Sequence, residues 1–292
     1  MFILEELFCS IDDFCLGFEA DWKKRLIQNG SHRRLRRRRL SLSEIMTILI
    51  SFHNSGCRTF KAFYLNIVSN YWRSAFPNLV SYSRFIEWIP STVIPLMIYL
   101  RSRMGTATGI GFIDSTSLKV CHNRRISSHR VFDGIAKRGR TSVDWFYGFK
   151  LHLVINDRGE LLNVALTTGN IDDRKPVRDL LQGHTGRFFG DKGYVSKALA
   201  HDLRKSGIVL ITKFKKKMNN KLMRWSDKQL LRKRAVIESV IEQLKHMCQI
   251  EHSRHRSPAN FLANLFSGLI AYCHFPQKPS IAIDRLAIKA SA

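Results

Sequence analysis

Gly109-Ile110-Gly111-Phe112-Ile113-Asp114 is the stretch on which the fold of this chain turns. Its short apolar run reads as a β-strand, and it ends on a carboxylate. A second run of the same kind, Phe188-Phe189-Gly190-Asp191-Lys192-Gly193-Tyr194, also carries an aspartate where its apolar part stops. A third acid, Glu238, lies in the helical stretch Arg234-Ala235-Val236-Ile237-Glu238. Carboxylates at the mouths of two strands and on one helix make a divalent-metal site if folding gathers them.

Outward from the first strand, residues 117–120 continue it, and residues 121–144, basic and containing Gly and Ser, are expected to form a long loop. Residues 147–155 and 161–168 read as strands joined by the turn Asn156-Asp157-Arg158-Gly159-Glu160. A short helix is expected over 172–181, with Pro176 in its first turn, where proline is tolerated. Then come a strand at 187–190, a helix at 196–205, a strand at 208–212, a basic loop at 213–222 and one long helix at 225–248 carrying Glu238. Pro258 precedes a last helix at 260–274. An antiparallel meander followed by alternating strands and helices builds a mixed α/β sheet with flanking helices. That is the layout of ribonuclease-H-like folds, in which the first and fourth strands lie side by side. Their ends would bring Asp114 next to Asp191.

Residues 1–105 read as helical. The segment Ser41-Leu42-Ser43-Glu44 has the form of a capping box, followed by Ile45, Ile48, Leu49 and Phe52 at helical spacing. A break at Asn54-Ser55-Gly56 leads to helices expected at 59–69 and 83–88, the last stopping before Pro90. This pattern fits a helix-turn-helix and equally a plain helical bundle. The expected organisation is an all-α, basic, DNA-end-binding domain at 1–105, a catalytic domain at 106–275 and a tail at 276–292.

Composition narrows the partners. The net charge is +25 over 292 residues. Self-repulsion of that size opposes compaction unless a polyanion neutralises it, which points to nucleic acid. A membrane is the weaker alternative, because the longest apolar stretches, near residues 45–52 and 93–100, fall far short of the ~20 residues a span needs. With Glu5 and Glu6 and no basic start, the N-terminus does not read as a signal peptide, so a cytoplasmic, nucleoid-associated protein is expected. The six cysteines show neither C-x-x-C nor a zinc pattern with His and read as reduced thiols.

Phosphoryl transfer on DNA requires an activated oxygen and relief of charge at phosphorus, which two divalent ions supply together. Mg²⁺ suits a carboxylate set, and Mn²⁺ fits the same oxygens. Asp114 is expected to bridge the two ions, with Asp191 and Glu238 holding one each. Arg234 and Lys245 fall on the helical face of Glu238, with Glu242 beside them. Arg234 is read as orienting Glu238 and Lys245 as gripping a phosphate; the plainer alternative is a surface ion-pair ladder.

The pattern Asp-x-Gly-Tyr at Asp191–Tyr194, then Arg-x3-Glu-x6-Lys at Arg234, Glu238 and Lys245, resembles the DDE transposases of bacterial insertion sequences. The resemblance extends to 145–152, 167–173 and the N-terminal 42–61. Leu231 stands where many relatives have a tyrosine, a departure that removes no metal ligand. The resemblance implies a ribonuclease-H-like core, Mg²⁺ dependence, cleavage of double-stranded DNA at the element's ends and strand transfer of the 3′-OH, with Asp114, Asp191 and Glu238 as the acidic triad. It also implies a homo-oligomer, at least a dimer, on DNA. A nuclease or resolvase that cuts without joining is the alternative enzyme, and a DNA-binding derivative without catalysis the non-enzymatic one.

Asp172 and Asp173 rival the triad but read as helix-capping residues. The basic residues expected to contact DNA are Arg36, Arg37 and Arg38 in the arginine run, Arg138 in the long loop, Lys150 on the second strand, Lys192 beside Asp191, and Lys215 and Lys216 before the long helix, besides Arg234 and Lys245. Lys150, with His152 on the same strand face, fits the polar side of a sheet equally well. Trp225 is read as a core or capping residue in preference to a base-stacking one.

Overall fold

The structure, a computed structural model, describes residues 3–28, 38–141, 144–213, 223–251 and 255–281. Arg36, Arg37, Lys215 and Lys216 lie outside the described residues. In chain order the first elements are α1 (Leu4–Gln28), α2 (Leu42–Phe52), α3 (Phe60–Ala62), α4 (Ser69–Tyr71), α5 (Tyr82–Trp88) and α6 (Val93–Ser102). Then come β1 (Ile110–Cys121), β2 (Lys137–Arg140), β3 (Trp145–Asn156), β4 (Leu161–Thr168), α7 (Val177–Leu180), β5 (Gly186–Gly190), α8 (Lys197–Lys205) and β6 (Ile208–Thr212). The last are α9 (Trp225–Arg232), α10 (Ala235–His246) and α11 (Pro258–Cys273). No helix among the described residues is long and apolar enough to cross a membrane.

The chain divides into two units. One comprises Met1–Arg103, Leu244–Ile250 and His255–Pro276; the other comprises Met104–Gln243, Glu251–Arg254 and Gln277–Ala292. One division falls after Arg103. The last helix does not follow the expectation. It groups with the N-terminal helices instead of a catalytic domain reaching residue 275, because α11 is buried along most of its length and packs on α6 and α2.

In the helical unit, α2 opens with the expected capping box: Ser41 Oγ accepts the Glu44 N–H, and Glu44 Oε2 accepts the Ser41 N–H at 2.6 Å. Its residues from Ile45 to Phe52 are all buried, so α2 is a core helix with no face left to solvent. Thr59 caps the next helical segment, which passes from α3 through a π-helical stretch, Phe63–Val68, into α4. Phe52, Phe60, Phe63, Tyr64 and Phe85 form a continuous ring cluster there. α5 ends at Trp88, before Pro90, as expected. A 3₁₀ turn, Ile89–Thr92, accepts the proline in its first turn and leads on into α6.

The sheet unit carries the topology expected of a ribonuclease-H-like fold. β3 pairs antiparallel with β1 and β4; β1 and β5, and β5 and β6, pair in parallel. The order across the sheet is therefore β4-β3-β1-β5-β6, with the short β2 sharing the β4 edge of β3. One face is apolar through Ile113, Val154 and Phe188, closed by Val177 and Leu180 of α7 and Leu199 and Leu203 of α8. α9 contacts β5 and β6. The β3–β4 turn uses Gly159 at φ +72, a conformation that side chains disfavour.

Three local expectations change. Residues 121–144 are not one loop, because Lys137–Arg140 forms β2 and Phe132 and Ala136 anchor the segment in the core. The helix expected over 172–181 shrinks to Val177–Leu180, its N-cap being Pro176. The long helix expected over 225–248 breaks into α9 and α10, where Val236 N–H bonds to Lys233 O and Ile237 N–H to Arg234 O in tight i→i+3 turns.

Candidate active site

The last paired couple of β1 and β5 is Phe112 and Phe189. Asp114 and Asp191 each follow that couple by two residues. Side chains alternate along a strand, and neighbouring strands run about 4.8 Å apart, so Asp114, inside β1 and not at its mouth, and Asp191, just past β5, share the same parity where the parallel pairing stops. The charge of Asp191 reaches Asp114, where it helps raise the carboxyl pKa. Asp191 begins a 3₁₀ turn, Lys192–Tyr194, without spending its carboxylate on a cap bond.

Asp114 is held at both oxygens. Oδ1 accepts the Ser115 N–H at 2.8 Å, and Oδ2 accepts from Arg234 Nη1 at 2.9 Å. Burial pushes its pKa up, and the Ser115 N–H and the Arg234 guanidinium oppose that rise. The second Arg234 nitrogen, Nη2, donates to Glu238 Oε1. Arg234 is thus a bridge between two of the three acids. Its side chain is 12% exposed, against 21% for Asp114 and 57% for Glu238. The sequence reading assigned Arg234 to Glu238 alone and missed its bond to Asp114, 120 positions away in sequence. Ser115 was missed for a different reason, since its contribution is a backbone N–H and not a side chain.

Among the described residues, no group of three His, Cys, Asp or Glu side chains is close enough to hold a metal ion. The three acids are not gathered as a ready cage, because a guanidinium lies between Asp114 and Glu238. The donor set still fits a hard cation. Mg²⁺ is commonly bound by one or two carboxylates together with substrate phosphates, and Asp114 and Asp191 supply such a pair.

The rival acids are occupied elsewhere and cap no helix. Asp172 accepts the backbone N–H and the side chain of Arg174, which holds its carboxyl well below the usual range. Asp173 pairs with Lys150 Nζ at 3.0 Å, and the same ammonium donates to Ile171 O. Lys150, at 15% side-chain exposure, is thus paired on the strand face it shares with Val154. His152 beside it is buried, with Nε2 against Thr167 Oγ1.

The other basic residues divide by exposure. Lys192, next to Asp191, and Arg138, on β2, are exposed. On β2, Arg140 lies over the exposed Trp145 ring. Arg38 donates to Ser91 Oγ and lies over Trp88. Lys245 follows Glu238 by two turns on α10. Trp225 is not a core residue, for it stands 73% exposed at the first position of α9. α9 is anchored by an ion pair absent from the sequence reading: Arg187 of β5 reaches Asp227 at 3.2 Å, both largely buried. Tyr194 is 3% exposed, and burial first, then the charge of Asp114, raises its phenol far above the ordinary value.

A family model described as a transposase DDE domain matches residues 104–258, just over half of the 292-residue chain. No curated protein matches. A solved structure, the cryo-EM structure of a piggyBac transposase synaptic complex with hairpin DNA, aligns with 92% of this chain and 71% of that chain. Its identity is 11% and its TM-score 0.49, a likeness too distant to add to the sheet order itself.

Proposed function

This chain belongs to the family of transposase DDE domains, whose activity is DNA cleavage and strand transfer, and from that membership we propose that Asp114, Asp191 and Glu238 are its catalytic carboxylates. The observation that carries this reading is the matched position of Asp114 and Asp191, two residues past the last couple of adjacent parallel strands. Glu238 is tied to the same site through Arg234.

Asp114 and Asp191, with Glu238, would hold divalent ions, Mg²⁺ first and Mn²⁺ as a substitute. When bound, such ions polarise the phosphodiester and activate the attacking oxygen. The chain's own groups do the rest. Ser115 N–H fixes the Asp114 carboxylate, so its remaining lone pairs point in a set direction. Before metal and DNA bind, Arg234 keeps Glu238 in register with Asp114. Lys192, exposed beside Asp191, and Lys245, further along α10, supply positive charge for phosphates. The substrate is double-stranded DNA: the ends of the element that encodes the protein, then a target. The helical unit is assigned to end binding, the sheet unit to chemistry. Synapsis of two ends calls for at least a dimer, working in the cytoplasm on nucleoid DNA.

The test is a cleavage and strand-transfer assay on pre-cleaved and intact element ends. D114A, D191A and E238A should each lower both steps by more than about 100-fold, since even outer-shell changes at metal sites cost 10–100-fold. Binding to the same DNA should stay within a few fold. Metal-dependent joining retained by any one variant removes that residue from the set. Cleavage without joining by the wild type would instead favour a nuclease.

A further inference from the structure

We propose that Arg234 is the resident cation of the acidic site, exchanged for a divalent ion when DNA arrives. This rests on reading Asp114, Asp191 and Glu238 as the metal-binding carboxylates.

The geometry is that of one fork between two acids. Nη1 and Nη2 belong to the same guanidinium; one donates to Asp114 Oδ2 and the other to Glu238 Oε1. A metal that takes Asp114 Oδ2 and Glu238 Oε1 binds the very oxygens that now accept from the guanidinium. It also brings two positive charges to a place where one already stands. Metal and guanidinium therefore compete, and the acids are satisfied by one or the other. The guanidinium also serves the site before metal arrives. Asp114 is buried and lies within reach of the Asp191 charge, so without a cation its ionised form would be costly.

What displaces Arg234 follows from its chemistry. A guanidinium is weakly hydrated and binds phosphate with the same two-pronged geometry it uses for carboxylate. A phosphodiester at the site thus offers Arg234 a replacement for both bonds that water alone matches poorly. The backbone permits the move. Arg234 lies in the turn between α9 and α10, outside the regular helix, so its side chain can swing without unwinding α10. Glu238, 57% exposed, is then released toward the metal. DNA binding and metal loading are coupled through one residue, and the coupling is reciprocal.

The experiment measures Mn²⁺ uptake by electron paramagnetic resonance of the free ion at constant ionic strength. It uses the full-length protein, with and without a short duplex of arbitrary sequence whose own Mn²⁺ uptake is subtracted. Thermal melts confirm that each variant is folded. Wild type should bind Mn²⁺ about tenfold more tightly with the duplex, and R234Q about tenfold more tightly than wild type without it, within the usual range of coupling between sites. The duplex should add little to R234Q, and R234K, whose single ammonium cannot form the fork, should fall between. Mn²⁺ affinity in folded R234Q equal to or weaker than wild type overturns the exchange. So does a wild-type affinity that the duplex leaves unchanged, a comparison that needs no variant. Wild type that takes up no Mn²⁺ in either state overturns the metal reading and the exchange with it.

Discussion

At the scale of single residues, Asp114 and His152 show how burial and partners set protonation in the sheet unit. Burial raises the Asp114 pKa, and the Ser115 N–H and the Arg234 guanidinium oppose that rise. His152 has only the charge of Asp173 to counter its burial. It is fully buried, and its Nδ1 has no hydrogen-bond partner among the described residues. Burial lowers its pKa from 6.5 to about 4, with Asp173 opposing and Lys150 assisting. An imidazole whose folded pKa lies below its unfolded value stabilises the fold fully above about pH 6.5. That contribution is lost as the pH falls toward 4, and amounts to about 3 kcal/mol at the acid limit. Urea unfolding at pH 7 and pH 4 checks this: H152Q should lose much of the pH dependence seen in wild type. An unchanged difference between the two pH values would assign the acid sensitivity to other groups.

At the scale of elements, what the sequence disclosed depended on where the deciding contact lay. β1, β3, β4, β5 and β6 were legible because each is an apolar run bounded by turn residues, and α2 because Ser41 and Glu44 form its capping box locally. β2 was not legible, since Lys137-Arg138-Gly139-Arg140 has no apolar residue to alternate. Gly139 is what allows this strand its place: a Cβ there would lie 2.1 Å from the Gly169 carbonyl oxygen. G139A should therefore destabilise the protein by about 2–3 kcal/mol, at the upper end of ordinary substitutions. Trypsin should then cut more readily at Lys137, Arg138 and Arg140. Unchanged melting and unchanged cleavage would show that the β2 edge is not packed as described. The break between α9 and α10 was hidden for another reason. No Gly, Pro or cap residue marks positions 233 and 234, and the contacts made around the break, Arg234 to Asp114 and Asp227 to Arg187, are to residues far off in sequence. The three acids proposed as catalytic were picked out by their order and setting along the chain, but the guanidinium between two of them could not be.

At the scale of the whole molecule, the charge of +25 is the dominant electrostatic fact. It favours association with any polyanion and should make that association strongly dependent on salt. If six to ten phosphates are contacted, affinity for duplex DNA should fall by about 10³–10⁵ between 50 and 200 mM salt. Fluorescence anisotropy across that range checks it, and a flat response would mean that the basic residues do not face DNA. Charge brings the partner; the sheet order supplies the place proposed for chemistry, where the parallel pairing of β1 and β5 stops. The claim on which both depend is that Asp114 and Asp191 share a divalent cation. Anomalous scattering from Mn²⁺ in crystals of the DNA complex tests it most directly. The expected result is a peak with carboxylate oxygens of both Asp114 and Asp191 at about 2.0–2.3 Å, near the range for hard divalent ions. Mn²⁺ bound elsewhere, with Asp114 still held by Arg234, would contradict it.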